Sequence, residues 1–237
     1  MHKFKNERLL VIAPHPDDEA IGCAGLITKI NTAGGKVFVL FLTIGDTKDF
    51  SKKGVSSVSE REAEIVKVAQ FLKFDDWEIA FRSSEYHLRL DAHGQQPIIN
   101  LIERKSRISI EKIKPTIVTF PSLYSYNQDH QVVAHATHAA LRPAEPVTKH
   151  FVSTVLAYEM PMDRWSLNQQ MVPNFFVPLT KAEMKTKTHA MSLYSSQMRP
   201  APNPRSLEIL KSFAQLRGAH VGHDFAEAYY CYRMLMP

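Results

Sequence analysis

A chain of 237 residues that is 44% hydrophobic and 22% charged has the make-up of one globular domain. Those values exclude a disordered chain, a collagen-like repeat and a coiled-coil rod. Two cysteines, Cys23 and Cys231, cannot build a disulfide framework, which favours a reducing compartment. The formal charge of +5 leaves nucleic acid, an anionic membrane and a phosphorylated substrate open until the motifs are read.

The longest apolar stretch, Val37–Thr43, has the length of a strand and falls far short of the roughly 18 residues of a membrane span. The N-terminal run LLVIA is likewise too short for the about 7–15 apolar residues of a signal peptide, so a cytoplasmic address is expected. Arg8–Pro14 (RLLVIAP) is a continuous apolar run stopped by proline and reads as a buried strand. Glu19–Ile30 places Ile21, Ala24, Leu26, Ile27 and Ile30 at helical spacing, and Gly34-Gly35 ends it. Lys36–Thr43 is a second buried strand, and a strand–helix–strand unit of this size favours a parallel, right-handed crossover. Residues 44–58 read as a loop, and Ser59 with Glu62 as a capping box that opens a helix to Leu72.

Further along, Trp77–Phe81, Thr116–Phe120 and Thr154–Tyr158 are expected strands, while Pro97–Ile113 and His130–Leu141 are expected helices. The alternation predicts an α/β fold: a mostly parallel sheet with helices on both faces. After residue 160, prolines 161, 173, 178, 200, 202 and 204 punctuate the chain. Helices are expected there at Lys181–Leu193, opened by a Thr180/Glu183 capping box, and at Arg205–Arg217. Residues 1–237 are expected to form one domain, with a core over 1–160 and an appendage over 161–237 packed on the sheet.

Two strand ends carry chemistry. Pro14-His15-Pro16-Asp17-Asp18-Glu19 leaves the first strand and opens the first helix. Open α/β sheets bind ligands outside the carboxyl ends of their strands. Helix capping explains one of these acids, Asp17 or Asp18, but not an imidazole between two prolines. A cation would hold such a group together. The second end, Ser122–His130, again runs from a strand into a helix, and His130 completes a two-His, one-carboxylate set with His15 and Asp18. Zinc takes such N and O ligands, and a catalytic zinc keeps three protein ligands and an open position for water. Asp129 is placed to orient a ligand, whereas His135 and His138 read as structural or solvent-facing.

The sequence resembles the PIG-L/LmbE-like zinc deacetylases. The residues that carry the resemblance are PHPDDEAIGCAG (14–25), RxxE at Arg61–Glu64, DHQVVAHATHAAL (129–141), NFFVPLTKAEMKTKTHAMSLYSSQ (174–197) and RGAHVGHDFAEAY (217–229). The resemblance implies a Rossmann-like fold, with one zinc or another divalent ion held by His15, Asp18 and His130. It also implies a hydrolase that removes acetyl from an N-acetylated amino sugar or sugar conjugate. Water bound to zinc, its pKa lowered from about 15.7 to about 7, would attack the amide with Asp17 as general base. Arg61 is implied at the substrate pocket, although an i,i+3 pair with Glu64 accounts for it as well.

Relatives with a histidine three positions before the last ligand use it on the intermediate. Here the position is Asn127, which can donate a hydrogen bond to the oxyanion but cannot deliver a proton. The leaving amine would then take its proton from Asp17, with His220 and His223 as weaker candidates. His87 stands where many relatives carry an acidic stretch, and Glu227 has no assigned role. Loops 44–58, 84–96 and 160–175 are expected to wall the pocket, with Trp165, Tyr86 and Phe175 as stacking candidates.

Two other classes share these features: a non-haem Fe(II) enzyme using the same triad, and a non-catalytic sugar or nucleotide binder on the same scaffold. Neither G-x-G-x-x-G nor G-x-x-x-x-G-K-[ST] occurs. The basic residues fall in scattered groups (Lys52-Lys53, Arg104-Lys105-Arg107, Lys181/Lys185/Lys187), which argues against nucleic acid and a membrane as partners. The expected partner is a small N-acetylated sugar or conjugate, and the resemblance adds a homo-oligomer. The aglycone is open among a nucleotide diphosphate, a lipid, a thiol conjugate and an oligosaccharide.

Overall fold

The computed structural model describes residues 4–48, 53–145, 147–167 and 171–235. In chain order the elements are β1 (Arg8–Ala13), α1 (Asp18–Thr32), β2 (Lys36–Thr43), β3 (Thr47–Lys48), β4 (Val55–Ser56), α2 (Val58–Leu72) and β5 (Asp76–Phe81). They continue with α3 (Gln96–Asn100), α4 (Ile110–Ile113), β6 (Ile117–Pro121), α5 (Gln128–Ala140) and β7 (Thr154–Tyr158). The chain closes with β8 (Phe175–Leu179), α6 (Lys181–Ser192), α7 (Leu207–Ala219) and β9 (Phe225–Met234).

Seven strands form one sheet in the order β5-β2-β1-β6-β7-β9-β8. The first five run parallel, and β9 is antiparallel to both of its neighbours. The expected mostly parallel α/β sheet is therefore present. Alternate residues of β1 enter opposite layers: Leu9, Val11 and Ala13 join the core with Ile21, Ile65, Met184 and Leu210, whereas Leu10 and Ile12 join Ile98, Ile102 and Val133. Helices cover both faces, which is why the strand reads as unbroken hydrophobicity with no polar alternation.

Three local expectations change. The helix expected over 97–113 is divided into α3, a π-helical turn at Leu101–Lys105, and α4. Ser106 N keeps a helical bond to Leu101 O, but Glu78 Oε2 on β5 accepts from Ser106 Oγ at 2.8 Å and from Arg107 N at 2.9 Å, so the chain beyond the π-helical turn is held by a side chain. The capping box of α2 is not at Ser59/Glu62. Ser57 is the N-cap, its Oγ accepting from Glu60 N, while Asp46 Oδ1 takes Val58 N at 2.7 Å. The Thr180/Glu183 box of α6 does form. Finally, residues 161–237 do more than pack on the sheet, because β8 and β9 extend it.

From β1 the chain moves outward through β2 to β5, then returns to β6 and β7 on the other side of β1. The strand order therefore reverses between β1 and β6, and the crevice at their carboxyl ends is the switch point where such sheets bind ligands. No helix among the described residues is long and apolar enough to cross a membrane.

Candidate metal centre and active site

His15 leaves the carboxyl end of β1, Asp18 opens α1, and His130 lies in the first turn of α5 behind β6. Side chains from both sides of the switch point thus converge. Asp18 Oδ2 lies 3.6 Å from His15 Nδ1 and 3.2 Å from His130 Nε2, and the two nitrogens are 3.3 Å apart. All three residues are buried, and their ligand atoms lie within 4.8 Å of one another. A tetrahedral ion with bonds of about 2.0–2.1 Å needs ligand atoms about 3.3 Å apart, so the trio fits such an ion as it stands. Burial raises the Asp18 carboxyl, but the charge and hydrogen bond of His130, and then His15, outweigh it and hold it well below the usual carboxylate range. Burial lowers His130, but the charge and hydrogen bond of Asp18, with the charges of Asp163 and Asp17, push it up.

Asp129 sets the orientation of His15. Its Oδ2 lies 2.9 Å from His15 Nε2 and also accepts from Leu88 N, while Oδ1 accepts from Leu90 N. With Nε2–H donated to this carboxylate, the Nδ1 lone pair is free to face the trio. Asp129→Asn is expected to weaken zinc affinity about 10–100-fold, read by competition with a fluorescent chelator.

Asp17 occupies the N-cap position of α1 at φ 106°, a left-handed conformation rare outside glycine, and its side chain makes no capping bond. Both carboxylate oxygens are buried without a hydrogen-bond partner. Capping therefore does not account for this acid, and its strained backbone delivers a bare carboxylate beside the trio. Burial, with Asp18 next to it, raises its pKa, while Arg205 and Arg61 oppose that rise. Glu19, one residue on, is pushed up to about 8 by burial and by the charges of Asp17 and Asp18, against the hydrogen bond that Tyr194 OH donates to its Oε1 at 2.6 Å. At neutral pH Glu19 is largely protonated.

Arg61 is buried and donates from Nη2 to Pro16 O at 2.9 Å, bracing the backbone just before Asp17. The pair with Glu64 is not formed. Glu64 accepts instead from Ser195 Oγ, Ser196 N and Ser196 Oγ of the tail motif. His87 stands edge-on to His15 with ring centroids 5.2 Å apart, and its nitrogens meet Thr43 Oγ1 and Thr47 Oγ1. Burial, with His15 and Arg61 nearby, lowers its pKa to about 3, so it walls the site as a neutral ring. Gly45 makes room for it: a Cβ there would sit 2.5 Å from His87 Cβ.

Asn127 is the N-cap of α5, its Oδ1 accepting from Asp129 N at 2.9 Å. His135, His138, His220 and His223 are exposed. The rings of His138 and His220 pack against Tyr232 and Phe176. Of the stacking candidates, Tyr86 has Phe81 and His93 on its faces, and Phe175 packs on Tyr229. Trp165 is 80% exposed and lines a hollow with Ser125, Tyr126 and Gln131. Residues 49–52 and 168–170 of the expected pocket loops lie outside the described residues.

The family model of PIG-L, GlcNAc-PI de-N-acetylase, matches residues 10–141, more than half of the chain and the whole of the trio. The chain belongs to the PIG-L family. Among curated proteins, the diacetylchitobiose deacetylase of Thermococcus kodakarensis is 26% identical over 235 residues, covering 93% of this chain and 81% of the relative. Among solved structures, a conserved protein of Thermus thermophilus superposes with TM-score 0.72 at 24% identity, covering 97% of this chain and 96% of that one. A 4-carboxy-2-hydroxymuconate hydratase of Pseudomonas putida superposes with TM-score 0.68 at 17% identity over 98% of both chains. The fold thus supports more than one reaction in these proteins.

Two further side chains reach the candidate site from the tail. Arg205, from the link between α6 and α7, places Nε 3.3 Å from Asp17 Oδ2. Tyr194, inside the tail motif of this PIG-L chain, reaches Glu19 across 175 positions. No local spacing signals either contact.

Proposed function

We propose that this protein is a zinc-dependent de-N-acetylase that hydrolyses the acetamide of an N-acetylated amino sugar or sugar conjugate. The observation that carries the reading is the bare, buried carboxylate of Asp17 beside a two-His, one-carboxylate trio of tetrahedral spacing. Family membership and the deacetylase relative support it. A structural cap would have its oxygens bonded to the helix.

His15, Asp18 and His130 would hold the zinc, and Asp129 fixes the tautomer of His15. When bound, the ion supplies a Lewis acid for the acetamide carbonyl and lowers the pKa of water to about 7. Asp17 takes the proton from the attacking water as the C–O bond forms, and Arg61 and Arg205 favour its ionised form beforehand. The capping Oδ1 of Asn127 is already engaged, which leaves Nδ2 as the donor to the developing oxyanion. The C–N bond then breaks, and Asp17 returns its proton to the leaving amine. Acetate and the free amine are the products.

The test is acetate release from a panel of N-acetylated sugars, free and conjugated, with and without chelator. Release that chelation abolishes and added zinc restores is expected. Turnover without acetate, such as addition of water to a double bond, would sink the reading in favour of hydratase chemistry. Oxygen-dependent turnover would favour an iron enzyme.

A further inference from the structure

The proposed reaction leaves Arg205 with more donors than the protein uses. Its Nε–H is buried and makes no hydrogen bond despite standing 3.3 Å from Asp17 Oδ2. Among the described residues, neither terminal nitrogen has a hydrogen-bond partner. The side chain is 36% exposed, whereas Asp17 is at 0%, so the guanidinium spans the distance from the base to solvent. Asp17 is the main charge acting on it, followed by Asp18, and the half-exposed Tyr126 phenol is the third neighbour. Tyr126 precedes Asn127, which places Arg205 on the side of the proposed oxyanion donor.

A guanidinium is always charged and presents five N–H donors in a rigid fork that matches the paired oxygens of a carboxylate or phosphate. Leaving such donors unmet next to a binding site is costly unless water or a ligand meets them. Arg61 already braces the loop behind Asp17, so Arg205 is not needed for that task. Its outer edge can take an anion without displacing any protein partner.

We propose that Arg205 is a specificity-determining residue that grips an anionic substituent, a phosphate or a carboxylate, on the N-acetylated substrate. This inference rests on the deacetylase reading and adds the substrate class: an acidic sugar or sugar conjugate whose anion lies near the acetamide. The scattered basic surface residues play no part in it.

The zinc-loaded full chain is assayed for acetate release from N-acetylglucosamine, its 1-phosphate, its 6-phosphate and N-acetylmuramic acid, whose anion is a carboxylate. At least one anionic sugar is expected to exceed the neutral one in kcat/KM by about 10–100-fold, the worth of a charged hydrogen bond. In Arg205→Gln that ratio should collapse toward one, whatever both substrates lose in common through Asp17. Arg205→Lys should retain part of it. A wild-type chain without preference, or a preference that survives Arg205→Gln, overturns the proposal. If no sugar releases acetate, the deacetylase reading fails on these substrates, and the anion site is tested separately by titrating inorganic phosphate into the zinc-loaded chains. Weaker binding by tenfold or more in Arg205→Gln keeps the anion site, while equal affinity, or no binding by the wild type, removes it.

Discussion

Asp17→Asn is expected to lower kcat for acetate release by about 10²–10⁴-fold while one zinc per chain is retained. The substitution keeps the shape of the side chain and removes its ability to accept a proton, together with the charge that faces Arg205 and Arg61. Asparagine tolerates the left-handed backbone better than most residues, so φ 106° at the N-cap of α1 imposes no new strain. The ligand trio does not include Asp17, and its side chain makes no hydrogen bond whose loss would loosen the helix. Metal content by mass spectrometry and kcat measured on the same preparation separate the base from a ligand. A variant that loses both would make Asp17 part of the metal site, and one that keeps its rate would refute the base.

The candidate metal trio was legible because each of its residues sits where a strand ends and a helix begins. His15, Asp18 and His130 are marked by local order alone, and the sheet topology then brings them together. Elements whose fate is decided by distant partners were not legible. The apolar spacing over 97–113 is continuous, and only Glu78 on another strand reveals the break. Ser57 and Ser59 offer equivalent hydroxyls, and Asp46 settles the start of α2 by capturing Val58 N. Pro178 argues against a strand in sequence, yet β8 lies at the sheet edge, where proline is tolerated. Glu227 has no assignable role in the sequence, yet it is only 5% exposed within β9. Arg205 carries no marker at all, since its partner Asp17 lies at the other end of the chain.

The burial of Glu227 carries the second large effect. Its carboxylate accepts from Gly25 N at 2.7 Å and Leu26 N at 2.8 Å, from Tyr229 OH at 2.8 Å and from Lys187 Nζ at 2.5 Å. Lys187 also donates to Ile21 O at 2.5 Å. A regular helix pairs Gly25 N with Ile21 O and Leu26 N with Gly22 O. Side chains from α6 and β9 thus engage the very groups that hold α1 together, and Gly25 allows their approach, since a Cβ there would meet Leu179 and Glu227 within 3 Å. Lys187→Met removes the cation and leaves the carboxylate buried, which should cost about 3–5 kcal/mol. For a chain of this size that is a fall in Tm of about 6–20 °C by calorimetry. Adding Glu227→Gln to it should restore part of the loss, because the remaining group is then neutral and its single carbonyl oxygen still accepts from one of the two helix N–H groups. A single variant that melts with the wild type would show that the pair contributes nothing. A double variant worse than the sum of the two singles would show that the carboxylate matters for its helix bonds and not for its charge. Asp17 and Asp18 stand at the start of this same helix, so the tail holds in place the helix that presents both the proposed base and one proposed metal ligand.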